Sequence, residues 1–319
     1  MRRFLCTLIC VAIWGAQAKA EAKGPVPQGG NIDNALSEEC RTLLQEAIME
    51  HGLDSVEIAV FENQTGHIRA WLAVKREGNT CTEGELWKKR CSQALMRPIV
   101  AISALEKGGL SLTDSVDTGT GVDSIDGMCI YDHNWRRGGY GKITYQEGID
   151  QMSNIAMYRA IRQGMGVEAA KHLWNMMGRT VPAETNPGMI AVMFGALATD
   201  GVAKIPDMET GEVTTERNNE FSPSALAMIK QGLTYDMKRP NVMRWLDPDM
   251  HWMATTATTP MGEKCYEIAF CGCFPVESPE YTLCVVANKK GLPVGSKQLG
   301  YIVNPLAKYL TKKDLHYGN

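Results

Sequence analysis

The 319-residue chain has no long run of basic residues, no C-x-x-C or H-x-x-x-H spacing and no glycine-rich phosphate loop. Its 33 Lys+Arg against 36 Asp+Glu give a formal charge of −3, so the electrostatic footprint of a nucleic-acid binder is missing and no nucleic-acid partner is expected. Six scattered histidines offer no zinc framework, and no G-x-G-x-x-G follows a strand. No cofactor and no metal site are therefore expected. With 44% hydrophobic and 22% charged residues, the composition excludes disorder, collagen and coiled coil. A chain of this length and apolar content can bury one large core or two modest ones.

Residues 1–20 read as a cleaved signal peptide. Arg2-Arg3 precedes the apolar run Phe4 to Trp14, and Ala16-Gln17-Ala18 and Ala18-Lys19-Ala20 supply the small-x-small cleavage pattern. That run is short for a bilayer span, so no spanning segment is expected after cleavage. A lipid anchor at Cys10 is the weaker reading, because bulky Ile9 stands where a small residue usually precedes a lipidated cysteine. Cleavage removes three positive charges and no negative one, leaving −6. The mature protein is expected in the periplasm or another extracytoplasmic space, where its eight remaining cysteines permit disulfides without fixing their pairing.

Residues 21–32, with Pro25-Val26-Pro27-Gln28-Gly29-Gly30, form a short tether to a domain spanning 33–319. Leu36, Cys40, Leu43, Leu44, Ala47 and Ile48 recur at helical spacing, with Asp33 or Asn34 as N-cap and Gly52 as the stop. Val56, Ile58 and Val60 alternate, Gln64-Thr65-Gly66 turns, and Ile68, Ala70, Leu72 and Val74 alternate again, which predicts a hairpin. Helical segments are expected near 93–108, 144–165, 167–177, 188–200 and 222–233. Strands follow near 252–258, 267–274 and 281–288. The last helix carries Leu299, Ile302, Val303, Leu306 and Leu310 on one stripe, bent at Pro305. The fold class is α+β: an antiparallel five-stranded sheet flanked by the N- and C-terminal helices, with a helical subdomain inserted.

From about Ser55 to Leu310 this order resembles the transpeptidase domain of penicillin-binding proteins, the fold shared with serine β-lactamases. The resemblance rests on Glu57 to Ala70 as the opening hairpin and Arg97 to Gly108 as the nucleophile helix. It continues with Gly148 to Met157 around the second motif, Ala191 to Pro206, and Phe270 to Val286 as the closing strands. Each piece is a weak match; five in one order are not coincidence. The resemblance implies an S-x-x-K serine that attacks a D-Ala-D-Ala stem peptide or a β-lactam, with the lysine receiving its proton. It also implies an S-x-N pair and a K-T-G strand.

Pro98-Ile99-Val100-Ala101 fixes the register of the first motif, placing Ala94 at the serine and Arg97 at the lysine. Alanine has no nucleophile, and a guanidinium keeps its proton at any accessible pH. Shifting the frame to Ser92 puts Leu95 at the lysine, and S-x-x-K occurs nowhere in the chain. The second motif reads Met152-Ser153-Asn154. The third reads Thr255-Thr256-Ala257-Thr258, without its lysine and glycine. The groups that attack or move protons are gone, so no competent catalytic residue is expected at Ala94, Arg97, Met152, Ser153 or Thr255. Asn154, Thr256 and Thr258 remain as substrate-binding candidates, against the plainer reading of polar residues on a helix start and a strand.

The expected function is a pseudoenzyme with a transpeptidase-like fold, binding or scaffolding at the cell wall. Its partner would be a peptidoglycan stem peptide or a cell-envelope protein. One alternative is an active acyl-transferase or hydrolase, D,D-peptidase or β-lactamase-like, with a relocated nucleophile at Ser153 or Ser92. Another is a protein-docking module with no ligand groove. Asp132-His133 and Trp135-Arg136-Arg137 read as loop residues, and the groove is expected to be narrowed by Arg97 and Met152.

Overall fold

The computed structural model describes residues 31–86, 93–178, 186–207, 210–217 and 221–317. The leader with Cys10, most of the tether, and Ser92 lie outside them.

A six-stranded, fully antiparallel sheet forms the centre, in the order β10-β11-β12-β1-β2-β3. The strands are β1 (Ser55–Glu62), β2 (His67–Glu77), β3 (Thr80–Glu83), β10 (Met253–Pro260), β11 (Cys265–Phe274) and β12 (Tyr281–Lys290). The N-terminal hairpin is thus sealed onto the C-terminal strands by β1 pairing with β12, Ala59 opposite Cys284. The expected five strands become six because β2 runs on to Glu77 and Gly78-Asn79 turns Thr80–Glu83 back onto it. That two-residue turn is a hairpin signal that the short, polar strand after it conceals.

Side chains alternate between two cores, as period-two strands require. Val56, Ile58, Val60, Leu283, Val285 and Ala287 meet the terminal helices α1 (Asn34–His51) and α8 (Gly300–Tyr317). Asp33 caps α1 by accepting from the Leu36 N–H, and Gly52 ends it at φ 70°. The predicted stripe of Leu299, Ile302, Val303, Leu306 and Leu310 is buried on this side. On the other face Ala59, Phe61, Ala269, Cys271, Cys284 and Val286 join the core of the helical block.

That block contains α2 (Arg97–Lys107), α3 (Tyr145–Asp150), α4 (Asn154–Met165), α5 (Val167–Gly178), α6 (Pro187–Ala198) and α7 (Pro223–Leu233). Helix α2 is its hub, burying Ile99, Val100, Ala101, Ile102, Ala104 and Leu105 against α4 and α7. Gly164 makes the α2 to α4 approach possible, because a Cβ there would lie 1.8 Å from the Ala104 carbonyl oxygen. The segment expected as one helix over 144–165 is two. Met152 takes a left-handed backbone at φ 52°, and Ser153 starts α4 as its N-cap. Three two-stranded sheets were not anticipated: β4 (Ser115–Asp117) with β7 (Lys142–Thr144), β5 (Val122–Ile125) with β6 (Met128–Tyr131), and β8 (Val202–Pro206) with β9 (Val213–Arg217). Their strands, three to five residues each, are too short to show a buried alternation. Among the described residues no helix is long and apolar enough to cross a membrane.

Candidate functional site

Ala94 lies in a 3-10 turn, Gln93–Met96, that leads into α2, with Pro98 in the helix's first turn, where its missing N–H costs no hydrogen bond. Its methyl is 2% exposed and belongs to the helical-block core, and β10 packs against this turn. No reactive group stands at the position that the resemblance assigns to the attacking serine.

Arg97, the first residue of α2, is half-buried. Its Nη1 donates to Asn154 Oδ1 at 3.2 Å, and its guanidinium lies 4.5 Å from the ring centre of Trp174 on α5. Nε is buried and has no hydrogen-bond partner among the described residues. Burial lowers the Arg97 pKa to about 10, so the side chain is still a cation at neutral pH. Asn154 is held from its other end, Nδ2 donating to the Tyr131 carbonyl at 2.7 Å. The structure therefore brings the first and second motif positions together through a cation and an amide.

Ser153 is fully buried and works as a cap: its Oγ donates to Asp132 Oδ2 at 2.8 Å and accepts from the Ala156 N–H at 3.1 Å. Asp132 Oδ1 accepts from the Ile155 N–H at 3.1 Å. Burial raises the Asp132 carboxyl above the usual range, and these hydrogen bonds pull the other way. Next to it, burial holds His133 below the ordinary imidazole value, with the Tyr140 hydroxyl 3.1 Å from Nε2. Met152 joins α3 to α4 and packs, partly buried, on the helical-block core.

Along β10, Met253 and Ala257 belong to the core of the helical block and Ala254 to the other. By alternation Thr255 shares the first face, and Thr256 and Thr258 the second. Thr255 is buried, and its hydroxyl has no hydrogen-bond partner among the described residues. The Thr256 Oγ1 donates to the Ala269 carbonyl of β11 at 2.8 Å, and Thr258 is exposed. Arg97, Asn154 and Thr255 thus lie toward the helical block, whereas the two retained threonines are not gathered on that side.

Two partners went unrecognised in the sequence. Asp132 sits in a loop that carries no periodicity, yet it organises the start of α4. Trp174 lies on an ordinary amphipathic helix, with no signal that its ring supports Arg97. Nearby, Tyr131 and Trp135 are exposed and meet edge to face at 5.8 Å, with Arg136 over the Trp135 ring at 5.0 Å.

A sheet sealed by both chain ends, with a helical block carrying the motif positions at its β10 edge, defines the transpeptidase-like α+β class. The fold is that of penicillin-binding protein transpeptidase domains. It is similar to the apo TP domain of penicillin-binding protein 3 from Burkholderia pseudomallei, with a TM-score of 0.69 and 17% identity over 94% of this chain and 98% of that one. A peptidoglycan glycosyltransferase from Burkholderia ambifaria gives 0.66 and 16% over 89% and 96%. Penicillin-binding protein 3 from Mycobacterium tuberculosis, complexed with ampicillin, gives 0.66 and 17% over 89% and 77%. No protein-family model matches the chain. No curated protein matches it in sequence.

Proposed function

We propose that this chain is an exported pseudoenzyme with the transpeptidase fold, one that binds or scaffolds at the cell wall and forms no acyl-enzyme. One observation carries the reading: Ala94, a buried methyl, stands at the nucleophile position, followed one turn later by Arg97, a guanidinium that cannot accept a proton at neutral pH. Acyl transfer by this fold needs both a nucleophile and a base there. A stem peptide would then be held noncovalently beside the start of α4, with Asn154 as the candidate contact, since Thr256 is committed to the Ala269 carbonyl and shares with Thr258 the face of β10 turned away from the helical block. The relocated nucleophile at Ser153 is disfavoured, since that hydroxyl is buried and committed to Asp132 and the α4 cap.

Incubation of the purified protein with a fluorescent penicillin is expected to give no covalent band. A band that disappears on mutation of any one serine would overturn the reading. Titration with muropeptide fragments separates a ligand groove from a docking module. Saturable binding weakened by Asn154→Asp supports the groove, and its absence favours docking alone. N-terminal sequencing of the exported protein, expected to start after Ala20, tests the leader.

A further inference from the structure

Most of the partly covered arginines face an acid, and among the described residues Arg97 does not. Arg239 Nε lies 2.8 Å from Asp150, Arg41 Nη1 lies 3.1 Å from Glu83, Arg69 Nη2 lies 3.6 Å from Asp33, and Arg159 is bonded to Asp123. No described carboxylate is within ion-pair distance of Arg97, and the acid of the neighbouring loop, Asp132, is occupied by Ser153 and the Ile155 N–H. An unneutralised cation in a partly dry place is costly, and a ligand anion relieves that cost on binding.

The guanidinium is also held in position. Asn154 fixes one Nη, Trp174 supports the plane, and Asn154 is itself anchored on the Tyr131 carbonyl. A planar fork fixed in this way suits a carboxylate. As the first residue of α2, Arg97 adds its charge to the positive end of the helix dipole.

We propose that the half-buried site at the start of α2 takes a small ligand bearing a carboxylate, with the Arg97 guanidinium as its ion-pair partner. The assignment rests on the noncovalent reading above and moves the anion contact to the helix position where that fold's base would stand.

The test is calorimetric titration of the purified protein at constant ionic strength with N-acetylglycine, with N-acetylglycinamide and with sulfate. The acid is expected to saturate, and the amide to bind at least about tenfold more weakly, the scale of one charge-assisted contact. Arg97→Met is expected to lose about tenfold or more for the acid and nothing for the amide, and Arg97→Lys to recover part of the loss. Equal binding of acid and amide, an unchanged affinity in Arg97→Met, or no saturable binding of the acid would overturn the proposal. Sulfate binding as tightly as the acid would overturn the carboxylate assignment. The acid-to-amide comparison uses the unmodified protein, so it decides the matter even where a variant fails to fold. Penicillin labelling, by contrast, would sink the noncovalent reading and leave the acid-to-amide ratio as a separate result.

Discussion

Arg97 donates to Asn154 at 3.2 Å across 57 residues of sequence, so the positions that would hold a lysine base and a motif asparagine are joined by a fixed cation. The contact explains why restoring the nucleophile alone should fail. Ala94→Ser is expected to leave fluorescent-penicillin labelling at background through pH 8, because Arg97, even lowered to about 10, keeps its proton there. Gel fluorescence over a pH series checks it. The buried hydroxyl is also expected to cost about 1–2 kcal/mol in urea unfolding.

Ser153 is expected to matter for stability rather than turnover. Ser153→Ala removes the α4 cap and one hydrogen bond to buried Asp132, a loss of about 1–3 kcal/mol in a denaturant titration. An unchanged midpoint would contradict the capping role.

Asp150 on α3 is 4% exposed and faces Arg239, Gln146 and Asn241, yet burial raises its pKa to about 6 from an ordinary 3.8. The native state then binds this proton more tightly than the unfolded chain. The contribution to stability is full below the ordinary value and is lost as pH rises through about 6, a difference of at most about 3 kcal/mol. Asp150→Asn is expected to flatten the fall in melting temperature between pH 4 and 7, and to lower the whole curve by weakening the contact with Arg239.

The loop that presents His133 and Trp135 depends on Gly139. At φ 72° a Cβ there would lie 2.2 Å from the Thr120 carbonyl carbon, with no flexible side chain to yield. Gly139→Ala is expected to destabilise by about 2 kcal/mol or more, against about 1 kcal/mol for Gly127→Ala, where φ is 79° and nothing lies within 4 Å. Thermal melts of the two variants give the comparison.

Much of the scaffold was legible because it is written in local periodicity. The α1 stripe, the β1–β2 hairpin, β11, β12 and the α8 stripe each carry enough apolar repeats to specify an element and its buried face. Strand β3 and the three small sheets were not legible, since runs of three to five residues are too short to carry a period. The split at Met152 was missed because a left-handed methionine leaves no signal, although Ser153 is a conventional cap.

Residue identity by itself determined the chemistry that is missing: alanine, arginine and methionine at Ala94, Arg97 and Met152 have no nucleophile and no base wherever they are placed. Only the tertiary structure decided what those residues do instead. Closure of the sheet by both chain ends and packing of α2, α4 and α5 set Arg97 against Asn154 and Trp174. The same packing buried Asp132 beneath Ser153. Alternation along β10 says that Thr255 and Thr256 face opposite ways, but which of them meets the helical block depends on how β10 sits on β11. That is a long-range contact, and no local pattern encodes it.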